Sequence, residues 1–247
     1  MTAIRTSIVR RAHLALCAMF VFFTSSMGQI PDPAPAPSGF VDLFNGQNLD
    51  GWDGDPTYWR VENGCIVGEI TPKTLLKRNS FLIWRGGQTG NGELIVEYRV
   101  SAKGNSGINY HSTEVADIPW ALAGYQADID GEDQWSGQIY EERGRGFLAY
   151  RGQKSLLPAD GGKPAVSPIA DRAELQKVVH KEDWNTYHII MDGRHIRHFI
   201  NGVLMSEIHD FDLAEHRSSG LLGVQVHTGP PMKIEFRAIR YKAAQAP

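Results

Sequence analysis

The chain has 247 residues, 42% of them hydrophobic and 21% charged, with a formal charge of −3. That balance belongs to a globular protein able to bury a full core, and it excludes disordered and collagen-like classes. The charge is mildly acidic, and Arg194, Arg197 and Arg217 are scattered rather than clustered, so nothing marks a surface for nucleic acid or anionic lipid.

The N-terminal residues 1–28 read as a secretory signal peptide. Arg5, Arg10 and Arg11 form a positive start, Leu14 to Phe23 a short apolar run, and Ser25 to Gly28 a small-residue cleavage region. The apolar run is short for a membrane span, so the mature protein is expected in the periplasm or outside the cell, free of the membrane; a retained N-terminal anchor is the rival. Cleavage removes three arginines and no acid, taking the charge from −3 to −6. Residues 29–38 are a Pro/Ala-rich linker, extended and stiff. A single domain is expected over residues 39–243. It holds one cysteine, Cys65, so no intrachain disulfide is available and the fold must rest on its core.

Strand signals dominate from there. Trp59 to Glu62 and Cys65 to Gly68 flank Asn63-Gly64, a hairpin turn by type. Phe81 to Trp84 is a buried-strand candidate, and Glu93 to Val100 alternates polar and apolar residues. Strands follow at Gly107 to His111 and Tyr125 to Asp130. Residues 152–170 read as a long loop, and Asp171 as the N-cap of the only helix, near 171–179. Tyr187 to Asp192 and His195 to Ile200 flank Gly193-Arg194. Asn201-Gly202 turns into Val203 to Ile208, and Leu221 to His227 and Lys233 to Tyr241 close the chain. Short strands with Gly-containing turns predict an all-β fold, an antiparallel sandwich or jelly roll with few short helices.

The stretch Gln126-Ala127-Asp128-Ile129-Asp130 is the most telling. Alternation puts Gln126, Asp128 and Asp130 on one face and Ala127 and Ile129 on the other. An amide and two carboxylates in a row are costly if buried and idle. They are what a carbohydrate site needs: acceptors for hydroxyls and carboxylates for proton transfer. Other polar clusters are Asn109-Tyr110-His111, Ser136 to Gly146 with Glu141, Arg143 and Arg145, the pair His198 and Asn201, and Gln225-Val226-His227. Glu141 and Glu142 fall on opposite faces of a strand, so at most one joins a site; Glu141 is the preferred one. His198 and Cys65 read as structural. Trp120 and Trp135 sit in loops, where they are free to stack on sugar rings.

Several of these segments together resemble the 3-keto-disaccharide hydrolase domain family. They are Gly39 to Gly46 with Leu49 to Trp52, Gly124 to Asp130, Gly137 to Arg145, Trp184-Asn185, Asn201-Gly202, Gly223 to Gly229 and Ile234 to Ile239. The resemblance covers about residues 39–241. It implies a concanavalin A-like jelly-roll β-sandwich whose concave sheet carries a sugar site. It further implies an exported enzyme acting on glycosides oxidised at C3.

Chemistry sets the roles such a reaction requires. A ketone at C3 acidifies the C2 proton, its removal gives an enolate that expels the C1 substituent, and water then adds to the enone. The route needs a base near C2, a donor or cation near the C3 oxygen and an acid at the glycosidic oxygen. Asp128 or Glu141 is the candidate base, and Arg143, His111 or His227 the enolate stabiliser. Asp128, Glu141, His227 and Arg143 are thus the catalytic candidates. Gln126, Asp130, Asn109, His111, Gln225, Arg145, Trp120 and Trp135 are the substrate-binding ones. A conventional glycoside hydrolase using the Asp128/Asp130 pair, or a non-catalytic carbohydrate-binding module, are the alternatives. No cofactor is expected. The competing option is a divalent cation on His111, Asp128, Glu141 and His227, although no close ligand spacing supports it.

Overall fold

The computed structural model describes residue 33 and residues 35–245. The expected signal segment lies outside the described residues. In chain order the strands are β1 (Val41–Asp42), β2 (Trp52–Asp53), β3 (Trp59–Glu62), β4 (Cys65–Ile70), β5 (Ser80–Trp84), β6 (Gly92–Val100), β7 (Asn105–Glu114), β8 (Leu122–Asp130), β9 (Ile139–Glu142), β10 (Gly146–Ala149), β11 (Gln153–Leu157), β12 (Ala165–Pro168), β13 (Asn185–Asp192), β14 (His195–Ile200), β15 (Val203–Asp210), β16 (Leu221–Val226) and β17 (Met232–Ala243). The one helix among the described residues is α1 (Arg172–Gln176).

These strands form two sheets. The larger runs β12-β11-β15-β14-β13-β6-β17-β4-β3, with β1 also paired to β17; the smaller runs β10-β9-β8-β7-β16-β5-β2. Alternation decides what each strand gives the interior. In β6, Leu94, Val96, Tyr98 and Val100 point inward while Glu93, Ile95, Glu97 and Arg99 stay half-buried on the far side. Val96, Tyr98, Tyr187, Ile189 and Phe236 from the larger sheet meet Ile108, Tyr110, Tyr125, Ala127 and Val224 from the smaller one. This is the all-β jelly-roll sandwich expected. With Cys65 a free, buried thiol, the core carries the stability, at about 1.5–3 kcal/mol per fully buried large apolar side chain.

Local turn chemistry behaves as its residue types dictate. Asn63 (φ 51°) and Gly64 (φ 73°) join β3 to β4, and Asn201 (φ 50°) and Gly202 (φ 80°) join β14 to β15. Both pairs need two successive left-handed residues, which Asn-Gly supplies at low cost. Buried His198 is structural: Tyr110 Oη lies 2.8 Å from Nε2 and Tyr187 Oη 3.1 Å from Nδ1. Burial pushes its pKa down to about 3, so it stays neutral.

Two expectations need correction. Residues 152–170 are not an extended loop: β11 and β12 pair antiparallel at the end of the larger sheet, and β11 runs parallel to β15. Outermost strands tolerate polar residues and proline, and Pro168 ends the edge strand β12. This polar composition hides the strand period. The helix also spans only Arg172–Gln176, although Asp171 caps it as expected, accepting from the Ala173 and Glu174 amides.

Candidate active site

The outward face of the smaller sheet holds a polar floor, assembled by register. Gln126 pairs with Asn109 of β7 and Tyr140 of β9; Asp128 pairs with Gly107. Cross-strand partners share a face, so Asn109, Gln126, Asp128, Tyr140 and Glu142 all project outward. Gly107 leaves room for Gln126, because a Cβ on it would lie 2.6 Å from the Gln126 carboxamide carbon and push that side chain aside.

A cleft of about 520 Å³ opens on this floor. Gln126, Asp128, Tyr140 and Glu142 line it, with Asn105, Arg143, His227 and Thr228 around them. Lys77, Arg78 and Asn79, ahead of β5, form one wall, and Trp135 and Phe147 another. Sheet twist draws distant corners together. Asn79, at the entry to β5, donates from Nδ2 to Glu142 Oε1 at 3.3 Å and accepts from the Thr228 amide at 3.0 Å.

Two carboxylates in this cleft sit in different surroundings. Asp128 is 8% exposed, and burial pushes its pKa up to about 8; Glu142 and Asp130 push the same way, while the Gln126 amide opposes them. Gln126 Nε2 donates to Asp128 Oδ1 at 2.8 Å, which leaves Oδ2 to carry the proton. Gln225 Nε2 in turn donates to Gln126 Oε1 at 3.0 Å, so a chain of amides holds the acid in place. Burial also raises the Glu142 pKa, but Asn79, Arg143 and His227 favour its charged form. Arg143 Nε lies 3.9 Å from Glu142 Oε1. His227 Nδ1 lies 2.6 Å from the Thr228 carbonyl. A carbonyl only accepts, so Nδ1 carries the hydrogen and Nε2 of the neutral ring keeps a free lone pair.

Of the sequence-predicted residues, Asp128, Gln126, His227, Arg143 and Trp135 line one cleft. The others do not. Glu141 faces the sandwich interior, 1% exposed, where its carboxylate accepts from Arg145 Nε at 2.7 Å. Arg145 also binds Asp210 Oδ2 at 2.7 Å, and Tyr125 Oη bonds the same Asp210. Glu141 and Arg145 are therefore parts of a buried ion cluster between the sheets. Glu141 pairs with core-facing Tyr125 while Glu142 pairs with Gly124, and that register decides which glutamate reaches the cleft. Asp130 is consumed by its own loop, accepting from the amides of Glu132, Gln134 and Trp135. His111 is fully buried, with the Arg217 and Gly90 carbonyls at its two ring nitrogens, and burial lowers its pKa. With His111 and Glu141 both elsewhere, the cation set of His111, Asp128, Glu141 and His227 does not assemble.

Gln225 and Asn109 share the outward face but are fully buried beside the cleft and do not line it. Gln225 Oε1 and both side-chain polar atoms of Asn109 are buried without a hydrogen-bond partner among the described residues. Trp120 lines a separate hollow of about 300 Å³ across the Lys77–Asn79 wall, and its Nε1 donates to Asp53. Sequence reasoning missed Glu142, Asn79, Tyr140 and Phe147. Tyr140 and Glu142 follow from alternation once Gln126 is paired to Tyr140; Asn79 and Phe147 carry no local signal. Phe147, 39% exposed, stacks on Trp135 at 5.3 Å and on Tyr150 at 4.9 Å. An aromatic shelf thus leads out of the cleft.

Comparison with known proteins places the chain. A crystal structure of a candidate glycosyl hydrolase from Parabacteroides distasonis is 20% identical, with a TM-score of 0.55 over 83% of this chain and 99% of that one. Carbohydrate-binding module CBM66 from Bacillus subtilis is 12% identical, with a TM-score of 0.51 over 78% and 96% of the two chains. Likeness at these identities speaks for the fold. A Bacteroides thetaiotaomicron protein named 3-keto-disaccharide hydrolase is 32% identical over 102 residues, 38% of this chain. The match spans about a third (32%) of that relative's length. Residues 39–242 match the 3-keto-alpha-glucoside-1,2-lyase-like domain, and the chain belongs to that family.

Proposed function

We propose that this chain is an exported enzyme that cleaves glycosides carrying a ketone at C3, by elimination followed by hydration. One observation carries the reading: a single cleft holds two buried carboxylates whose surroundings differ, burial raising both pKa values, that of Asp128 to about 8, while Asn79, Arg143 and His227 oppose the rise at Glu142. Titratable pairs whose surroundings set their pKa values apart divide into acid and base, with Asp128, the more strongly raised, as the acid.

Glu142 takes the C2 hydrogen as a proton, and the electron pair forms the C2–C3 enolate. The Arg143 guanidinium is the cation that receives the developing charge on the C3 oxygen. As the C1–O bond breaks, Asp128 gives its proton to the departing oxygen. The product is a C1–C2 enone and a free alcohol. Water then adds at C1, with its proton returned through Asp128 or His227 Nε2 and the C2 proton restored by Glu142. The net reaction is hydrolysis. The shelf of Trp135 and Phe147 offers a stacking surface for the ring of the departing group.

A conventional two-carboxylate glycosidase is the second reading, because Asp128 and Glu142 share the cleft. The two part on the C2–H bond. Incubation with a 3-keto-disaccharide and with its unoxidised parent, each also as the C2-deuterated form, separates them. The proposal expects turnover of the keto compound alone, with a primary isotope effect and exchange of C2 deuterium into water. Cleavage of the parent with no C2 exchange would establish the glycosidase instead. Export is tested by fractionating cells that express the full chain, with the mature protein expected outside the cytoplasm.

A further inference from the structure

We infer that His195, Glu207 and His209, on the outer face of the larger sheet, form a binding site for a borderline divalent transition metal ion such as zinc. The site is separate from the cleft, which lies on the smaller sheet.

Backbone geometry brings the three together. The Asp210 amide donates to the Arg194 carbonyl at 2.8 Å, so residues 194 and 210 form a hydrogen-bonded cross-strand pair. His195 and His209 are the next pair along. In antiparallel sheets that neighbouring pair is the non-hydrogen-bonded kind, whose side chains stand closest. Glu207 precedes His209 by two positions and shares its face. All three ligands therefore stand on two directly paired strands, a rigid platform.

The side chains already converge. His195 Nε2 lies 2.9 Å and His209 Nε2 3.3 Å from the same oxygen, Glu207 Oε1. One ligand atom from each residue lies within 4.8 Å of the other two. The imidazoles stack with centroids 4.1 Å apart and planes 10° apart. To bind an ion, the two rings turn out of this parallel stack so that their in-plane Nε2 lone pairs converge. All three residues are partly open to solvent, so an ion has a way in.

Donor chemistry selects the ion. Two imidazole nitrogens and one carboxylate oxygen suit Zn²⁺, Ni²⁺ or Cu²⁺ and serve Ca²⁺ and Mg²⁺ poorly, since those take oxygen ligands. Three protein ligands leave a further position for water. Lys154 Nζ sits 2.8 Å from Glu207 Oε1, and Arg197 pairs with Glu207 across the strands. Lys154 is 41% exposed on a flexible stem and swings aside as the ion takes its place.

Calorimetric titration of the untagged full-length protein with zinc chloride tests the site, with magnesium chloride as the comparison. One equivalent of zinc is expected to bind saturably, with no comparable magnesium signal. His195→Ala and His209→Ala should each weaken zinc binding at least tenfold, and the double variant should abolish it. Lys154→Met should tighten it by removing a competing cation. Circular dichroism without metal should show all variants folded, as these are surface positions. Cobalt substitution gives an independent readout, a visible d–d absorption lost in the double variant. Absence of saturable zinc binding, equal affinity for magnesium, or zinc binding that survives in His195→Ala/His209→Ala overturns the inference.

Discussion

Replacing Asp128 with asparagine should make this protein more stable and less active at once. The carboxyl is buried in the floor of the cleft, and its pKa stands near 8 against an ordinary value of 3.8. The folded state thus binds this proton more tightly than the unfolded chain. The stabilisation linked to it is complete below about pH 4 and is lost as pH rises toward 8. At pH 7 the loss is about 1.36 kcal/mol for each of roughly three pH units, a ceiling near 4 kcal/mol. Asparagine keeps the shape and bears no charge, so it escapes this cost. At about 2–4 °C per kcal/mol for a chain of this size, the variant should melt up to roughly 8–16 °C higher at pH 7. The gap should close at pH 4. Catalysis should move the other way: kcat/KM on a 3-keto-disaccharide should fall about 10²–10⁴-fold, the usual contribution of a positioned general acid. Wild-type kcat/KM should decline as pH rises through about 8, because the acid form is lost. Calorimetric melting at pH 4 and pH 7, beside a pH–rate profile, checks both limbs. A wild-type rate that rises through pH 8 would assign Asp128 as the base. Equal melting temperatures at pH 7 would refute the buried-proton reasoning altogether.

The neighbouring glutamates should respond in opposite ways. Glu142→Gln should lower kcat at least 100-fold with the melting temperature held within a few degrees, because it removes the base and leaves an amide of the same shape in the cleft. Glu141→Gln should destabilise by about 1.5–3 kcal/mol by weakening the charged bond to half-buried Arg145, which keeps Asp210, while the protein that remains folded keeps its KM; denaturant melts with steady-state kinetics tell the two apart. Phe147→Ala should raise KM several-fold for a substrate with a ring as its leaving group and spare one with a methyl leaving group, as stacking is worth about 0.5–1.5 kcal/mol. Gly107→Ala should push the Gln126 amide off Asp128, and the apparent pKa on the upper limb of the pH–rate profile should rise, since a hydrogen bond to the charged form is lost.

Much of the architecture was legible locally. Glu93 to Val100 announces a strand with one buried face, the two Asn-Gly pairs announce hairpins, and Gln126 to Asp130 announces a polar row on a sheet. Each depends on the period-two geometry of the extended chain or on the low cost of left-handed Asn and Gly, both properties of a few consecutive residues. The family resemblance likewise extends over the domain that forms. The faces of short strands were another matter. Glu141 and Glu142 are adjacent and chemically alike, and only the pairing of β9 against β8 turns one to the ion cluster and the other to the cleft. Asp130 reads as a site residue until the turn after it folds back and its amides claim the carboxylate. Strand β12 lies at the sheet edge and is exposed throughout, and β11 beside it buries only Ser155 and Leu157, so burial leaves little pattern in their sequence. The sequence by itself determined the fold class, the hairpins and the polar row bearing Asp128. Tertiary structure alone decided which carboxylates meet, because the bond from Asn79 to Glu142 joins residues 63 apart, and contacts at that range arise from sheet twist and register rather than from local spacing.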